Sequence, residues 1–308
     1  MTTTASRPLS YTQNMEDYHL ALALGGVQAG FYIDVGGGHP IADNVSMWFY
    51  ERGWRGLVVE PQAPLAGLYR HVRPRDIVHV GLVGEQSGEA VFHMFPRLHG
   101  LSTMSPQNAE GSTVHGDAYE TVRMPVTTLS ALCEAHGVTA IDFLKVDVEG
   151  AEADVLAGND WSRYRPAVVV VEAIAPGTNA PSHAAWEPIL LAAGYSFRLD
   201  DTLNRFYVAD ERPDVLERLP DTRAPWDAVT HMYEIGRAPE NAAHPDHALA
   251  VALTRAFWAS LPGLDPGLLA DLLARAGRDA LATGDLGSDA FRAALGRIAC
   301  GYDGGQIT

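Results

Sequence analysis

Cysteine is nearly absent. Only Cys133 and Cys300 occur in 308 residues, far apart and in no metal-ligand spacing, so a disulfide framework and a structural zinc site are excluded. Positive charge is scarce as well: 22 Lys and Arg face 38 Asp and Glu, a formal charge of -16. Such a field repels phosphate, which argues against unaided binding to nucleic acid or an anionic membrane and favours a neutral or cationic small substrate. No run approaches the roughly 18 apolar residues of a membrane span, and MTTTASRPLS lacks the apolar stretch of a secretory signal. No internal repeat is evident. We therefore expect a cytoplasmic protein without a membrane span.

What is present is a folded chain, 47% hydrophobic, long enough for one large domain with an extension. Its most informative stretch is FYIDVGGGHPIADNVSMWFYERGWRGLVVEPQ, residues 31 to 62. Phe31 to Val35 reads as a strand stopped by Gly36, Gly37 and Gly38. Ile41, Val45, Trp48 and Phe49 recur at helical spacing until Gly53, and Leu57 to Val59 forms a second strand ended by Glu60 and Pro61. Glycines let a backbone approach a ligand closely, and a carboxylate after the second strand accepts from ribose hydroxyls. Glu60 lies 22 residues after Gly38, near the acid spacing of about 20 in dinucleotide sites, so a nicotinamide-dependent Rossmann oxidoreductase is a rival reading. Two residues oppose it. Ile41 stands where the third glycine of that fingerprint belongs, and Asp34 would repel a pyrophosphate while favouring the ammonium and sulfonium of S-adenosylmethionine. A module that keeps the fold but only binds a partner is a third reading.

Taken in order, Met15 to Ala29 suggests a leading helix, Leu65 to His71 a short one, and Ile77 to Val83 a third strand. The alternation over Gly88 to Phe95 suggests an edge hairpin. Pro96 to Tyr119 is a long Gly-, Ser-, His- and Asn-rich loop, expected to be a lid or substrate loop. Arg123 to Val126 is a strand, after which Thr127 or Thr128 caps a helix ended by Gly137. Ile141 to Val146 is the fourth core strand, running into Asp147, Val148, Glu149 and Gly150. Ala167 to Val171, ending at Glu172, is continuously apolar, as suits a strand buried on both faces. A helix through Trp186 and Leu190 follows, then Tyr195 to Leu199 and Leu203 to Val208 pair across Asp200 and Asp201. The fold class is α/β: a doubly wound, mostly parallel sheet, Rossmann-like, with an antiparallel closing hairpin. We place the binding domain at residues 1 to 209 and a helical C-terminal extension at 210 to 308. Pro-interrupted helices, then Leu249 to Leu261 and Leu268 to Ala276, offer a cap or a homo-oligomer contact there; His244 and His247 read as solvated.

With these segments in view, the sequence resembles the FkbM family of S-adenosylmethionine-dependent methyltransferases. The resemblance rests on YIDVGGGHPIADNVSMWFYERGWRGLVVEPQ, VHVGLVGEQSGEAVFH, VTTLSALCEAHGVTAIDFLKVDVEGAEADVLAG, VVVVEA and YSFRLDDTLNRFYV, with FLKVDVEGAE the least generic piece. It implies a class I methyltransferase fold, S-adenosylmethionine as cofactor, and methyl transfer to a hydroxyl of a sugar, polysaccharide or polyketide-type natural product, so that the partner is a small-molecule or glycan acceptor. The GGGHP turn is richer in glycine than many relatives carry. Cofactor contacts are expected at Asp34, Gly36, Gly37, Gly38, His39, Glu60, Pro61, Gln62, Val83 and Asp147.

A hydroxyl must lose its proton as it attacks, which calls for a base or a metal at the carboxyl ends of the strands. Asp147, Glu149 and Glu172 are the acids there, and Lys145 is placed to orient one of them or to stabilise an alkoxide. The same three acids would be the ligands of a magnesium ion. The alternative for Asp147 and Glu149 is capping of the next helix. His183, in the loop after the fifth strand, is a second candidate base, and Ser102 and Thr103, within the long loop, are candidate contacts to cofactor or acceptor. Trp48 and Trp54 read as packing residues.

Overall fold

The computed structural model describes residues 7–113, 118–175, 180–275 and 288–303. The chain opens with β1 (Leu9–Ser10) and α1 (Glu16–Leu24), which stops at Gly25 and Gly26. Then come β2 (Phe31–Val35), α2 (Met47–Glu51) and β3 (Arg55–Val59). The helix is shorter than its apolar spacing suggests. Residues 40 to 46 form an irregular turn pinned by side chains: Asn44 Nδ2 donates to the Gly37 carbonyl at 2.9 Å and to Tyr69 Oη at 2.7 Å. Next are α3 (Ala63–Val72), β4 (Ile77–His79), β5 (Leu82–Val83), β6 (Gly88–Met94), α4 (Pro106–Ser112) and β7 (Glu120–Thr127). After α5 (Leu129–Ala135), capped by Thr128 Oγ1 on the Ala131 N–H at 3.1 Å, the chain runs through β8 (Phe143–Val146), α6 (Glu152–Ala157) and β9 (Val168–Glu172). It continues with α7 (Glu187–Ala192), β10 (Tyr195–Asp200), β11 (Asn204–Ala209), α8 (Pro213–Arg218) and β12 (Thr230–His231).

Seven strands form the central sheet in the order β10-β11-β9-β8-β2-β3-β4. β4, β3, β2, β8 and β9 are parallel, and β11 runs against both β9 and β10. This is the doubly wound sheet with an antiparallel closing hairpin that the sequence leads one to expect. Its two faces are read from strand alternation. Tyr32, Val58, Phe143, Val168 and Val170 face one apolar cluster, joined by residues of α1, α2 and α8. Ile33, Val35, Leu57, Leu144, Val146, Val169 and Val171 face the other, joined by residues of α5, α6 and α7.

The strand read over Ile77 to Val83 is in fact two, parted at Val80 and Gly81, with β4 on the large sheet and β5 on a separate three-stranded sheet of order β5-β7-β6. No hairpin forms within Gly88 to Phe95. β6 instead pairs antiparallel with β7, Phe92 opposite Val122, so the alternation reports one inward face from a partner 30 residues away in sequence. The long loop after β6 holds a 3₁₀ turn at His99–Leu101 and α4; residues 114 to 117 lie outside the described residues.

The chain divides into two compact units, Met1–Tyr233 and Glu234–Thr308, later than the edge expected at Ala209. The reason is that α8 and β12 belong to the first unit: Arg218 Nε donates to the Ala23 carbonyl at 2.9 Å, and β12 pairs with β1. The second unit contains α9 (His247–Ser260), α10 (Pro266–Arg275) and α11 (Asp289–Asp303) around Leu261, Leu269 and Leu295. Among the described residues no helix is long and apolar enough to cross a membrane.

Candidate active site

A cavity of about 480 Å³ lies along the carboxyl-end edge of the large sheet. Its floor is the glycine turn. The Gly36 and Gly37 N–H groups donate to the Val59 carbonyl at 3.0 and 3.1 Å, which turns the chain away from β2. Gly36 has φ +79°, and a Cβ there would stand 1.7 Å from the Asp147 carbonyl oxygen. At Gly37 a Cβ would meet Val58 Cγ1 at 2.5 Å and Tyr69 Oη at 2.8 Å. Backbone and core are thus pressed together here, and no larger residue fits without parting β2 from β8.

On one side of the turn stands Glu60, 3% exposed. Its Oε2 accepts from the Gly38 N–H and its Oε1 from the Gln62 N–H, both at 2.8 Å. Two backbone donors fix the carboxylate and leave further lone pairs for a ligand. Burial pushes its carboxyl up to about 7, against the pull of those two donors. His39, Pro61, Gln62 and Val83 line the same cavity. His39 Nδ1 is occupied by the Ile41 and Ala42 N–H groups at 3.2 and 3.0 Å, and Gln62 Nε2 reaches into the loop after β6, to the His99 carbonyl and Ser102 Oγ, both at 3.2 Å.

On the other side is Lys145. Its Nζ lies 3.0 Å from Asp147 Oδ2, donates to the Gly36 carbonyl at 3.1 Å and sits 3.9 Å from Asp34 Oδ1. The Coulombic pull of Asp147 and Asp34 outweighs desolvation and holds the ammonium above its ordinary pKa. Asp34 and Lys145 are register partners on β2 and β8, so they share a face. Asp34 itself does not line the cavity. It is 1% exposed, receives Ser46 Oγ at 2.6 Å and backs Lys145 from below.

Asp147, Glu149 and Glu172 converge: one carboxylate oxygen from each lies within 4.8 Å of the others. Neither Asp147 nor Glu149 caps α6. Ala151 holds the N-cap position without a side-chain bond, and Glu152 Oε1 takes the Val148 and Gly150 N–H groups at 3.3 and 3.0 Å. Glu149 adopts φ +56°, an uncommon conformation for a non-glycine residue. The loop after β6 holds it there, because Thr103 Oγ1 and Asn108 Nδ2 both donate to its carbonyl, at 2.7 and 3.0 Å. Burial together with the charge of Asp147 raises Glu149 to about 8, and burial with the neighbouring acids raises Glu172 further still. Glu172 Oε2 is buried without a hydrogen-bond partner.

Ser102 lines the cavity and Thr103 stands behind it, whereas His183 lies outside, edge-on to Trp186 at 6.5 Å between ring centres. Trp48 and Trp54 are buried in the core as expected. Sequence reasoning missed Gln13, Glu16, Phe92, Arg97, Leu203 and Asn204, all of which line the cavity. They come from the leading helix and the segment before it, from β6 and the loop after it, and from the closing hairpin, and none was singled out as a site residue. It also missed the buried support of the turn. Arg73, 0% exposed, pairs with Asp76 at 2.7 Å and donates to Asn44 Oδ1 (2.7 Å), Ser46 Oγ (2.8 Å), Tyr32 Oη (2.9 Å) and the Pro40 carbonyl (3.2 Å).

Set against known proteins, residues 34–197 match the methyltransferase FkbM domain. No curated protein matches the chain. Among solved structures, it is similar to a TehB-like SAM-dependent methyltransferase from Corynebacterium glutamicum, at 10% identity and TM-score 0.34, over 62% of this chain and 86% of that one. It is also similar to an O-methyltransferase from Bacillus cereus in complex with SAH, at 12% identity and TM-score 0.33, over 65% and 82%.

Proposed function

Because the chain belongs to the FkbM methyltransferase family, we propose that it transfers the methyl group of S-adenosylmethionine to a hydroxyl of a sugar, polysaccharide or polyketide-type natural product. The observation that carries this reading is one cavity with a donor-fixed carboxylate, Glu60, on one side of a close-packed glycine turn and an ion-paired acid, Asp147, on the other. S-adenosylmethionine supplies an already activated methyl group, so the chain has to position two partners and remove one proton.

The residues present fit that cofactor. Glu60 accepts the ribose hydroxyls with its free lone pairs. Gly36, Gly37 and Gly38 admit the methionine end close to the backbone, and His39, Pro61, Gln62 and Val83 border the adenosine. Asp34 contributes from the layer beneath, by fixing Lys145. Asp147 takes the proton of the acceptor hydroxyl, and Lys145 keeps it ionised and tempers the negative charge that develops. His183, outside the cavity, is the weaker candidate base. Asp147, Glu149 and Glu172 offer hard oxygen donors, close enough together to hold a magnesium ion, which would supply a Lewis-acidic centre.

The charge of -16 supports an acceptor that is not a nucleic acid, and two free cysteines, Cys133 and Cys300, support a cytoplasmic location. We assign a homo-oligomer contact to the C-terminal helices, supported by Leu249, Leu253 and Phe257, spaced by four on α9 and 62, 61 and 41% exposed. Sizing by light scattering tests it, and a monomer at all concentrations rejects it. For the activity, calorimetric titration with S-adenosylhomocysteine and with NAD comes first: binding of NAD alone would establish the oxidoreductase reading instead. A panel of sugars, macrolides, catechols and nucleic acids then tests the acceptor. Methylation of RNA alone would defeat the proposal, and cofactor binding without turnover on any hydroxyl would favour a binding module.

A further inference from the structure

The cavity crosses the sheet edge in the spatial order of the strands. Glu60 follows β3, Gly36 to Gly38 follow β2, Asp147 follows β8, Glu172 ends β9, Asn204 begins β11 and Leu203 immediately precedes it. β11 runs against β9 with Asn204 opposite Glu172, so its first residue reaches this edge rather than the far one. A cofactor whose ribose lies at Glu60 and whose methyl lies beside Asp147 leaves the β9–β11 end to the acceptor. This step rests on the methyl-transfer reading above.

We propose that the β9–β11 end of the cavity is the acceptor subsite, and that Glu16 there selects an acceptor carrying a protonated amine beside its reacting hydroxyl. Glu16 comes from the first turn of α1, lines the cavity and is only 4% exposed. Its Oε1 accepts from Asn204 Nδ2 and its Oε2 from the Asn14 N–H, each at 2.8 Å. These bonds, with a further pull from the Thr12 hydroxyl and its own N–H, orient the carboxylate toward the hairpin and the N-terminal segment. Asn204 is held in turn, its N–H on Asp201 Oδ1 at 2.6 Å, so the hairpin and the N-terminal segment lock together behind Glu16.

The cations lining the cavity serve elsewhere. Lys145 is taken by Asp147 and the Gly36 carbonyl, and Arg97 stands two residues before His99, whose ring borders Gly38. Lys145 pulls on Glu16 through charge alone and is already paired with Asp147, while Glu172 Oε2, on the strand residue opposite Asn204, is buried without a partner. Burial holds the Glu16 and Glu172 carboxyls above their ordinary range, and an ammonium brings both the charge that favours their ionised form and donors to bond them. A neutral hydroxyl supplies donors alone, and a carboxylate or phosphate is repelled.

The test uses the full chain saturated with S-adenosylhomocysteine and three matched probes, glucosamine, glucose and glucuronate, followed by ligand-observed NMR titration near pH 7. Glucosamine should bind about tenfold more tightly than glucose, and glucuronate should not bind. Glu16→Gln should bring glucosamine to the level of glucose without changing the dissociation constant of S-adenosylhomocysteine. Gln13→Lys, at an exposed position on the same end, should do likewise and does not disturb the buried network. A wild-type protein that binds S-adenosylhomocysteine but shows no preference for the amine overturns this proposal alone, as does a preference that survives both variants. A wild-type protein that does not bind S-adenosylhomocysteine overturns the methyl-transfer reading and this one with it.

Discussion

If Glu60 receives the ribose, cofactor affinity must rise with pH near neutrality, and the rise must belong to that one side chain. Burial holds its carboxyl at about 7 in the folded protein, against 4.5 for the free group. The sign follows from which form the fold prefers. A raised carboxyl pKa means the folded state binds the proton more tightly, so Glu60 ionises at a cost to stability as pH climbs from the unfolded value through about 7. A ribose donating two hydrogen bonds rewards the ionised form. From pH 6 to pH 8 the ionised fraction grows from about one tenth to about nine tenths, so affinity for S-adenosylhomocysteine should rise about tenfold. Glu60→Gln removes the charge and turns an NH2 toward one of the two backbone donors now satisfied by Oε1 and Oε2. At pH 8 the loss should be about 1.5 to 3 kcal/mol, or roughly ten- to a hundredfold in affinity. Calorimetric titrations at pH 6, 7 and 8 on both proteins measure this. A wild-type affinity that is flat with pH, or the same slope in the variant, would refute the assignment.

Asp147→Asn should stay folded and bind S-adenosylhomocysteine while losing about 10²-fold or more in kcat. If turnover persists with and without chelator, Asp147 is structural; if chelator abolishes wild-type turnover and magnesium restores it, the three acids act through the ion. Gly36→Ala forces a Cβ against the Asp147 carbonyl and should abolish cofactor binding, so an unchanged dissociation constant would contradict the close approach of the two turns. Arg73→Met strands the fully buried Asp76 and should cost about 3 to 5 kcal/mol, lowering Tm by about 10 °C; an unshifted melting curve would count against the network.

Much of this site was legible because it is local. A strand, a glycine turn and an acid at the next strand end lie within 32 residues of sequence, and KVDVEG brings Lys145, Asp147 and Glu149 on one short segment. Register made the rest of that set predictable, since parallel neighbours deliver Glu60, Asp147 and Glu172 to one edge. What could not be read is what long-range pairing decides. Glu16 and Asn204 are 188 residues apart and meet only because β11 reverses direction. The inward face of β6 was visible, but its partner β7 was not, since a period of two does not name the strand across. Asp34 shows the converse case. Its position beside the turn was right, yet strand alternation buries it beneath Lys145 instead of opening it to the ligand.

The arginine under the glycine turn also bears on how such a chain can change over time. Arg73 spends its guanidinium on Asp76, Asn44, Ser46, Tyr32 and the Pro40 carbonyl, all in the dark of the interior. Losing any one partner leaves a buried donor or charge unmatched, so single substitutions along this set are each selected against, even where a joint replacement would fold equally well. The physics of the group therefore favours its replacement as a block. Novelty in the ligands this chain accepts must enter where the block does not reach, through the hairpin tip before Asn204, the segment around Gln13 and the loop bonded to Glu149, which can drift while the turn beneath them stands still.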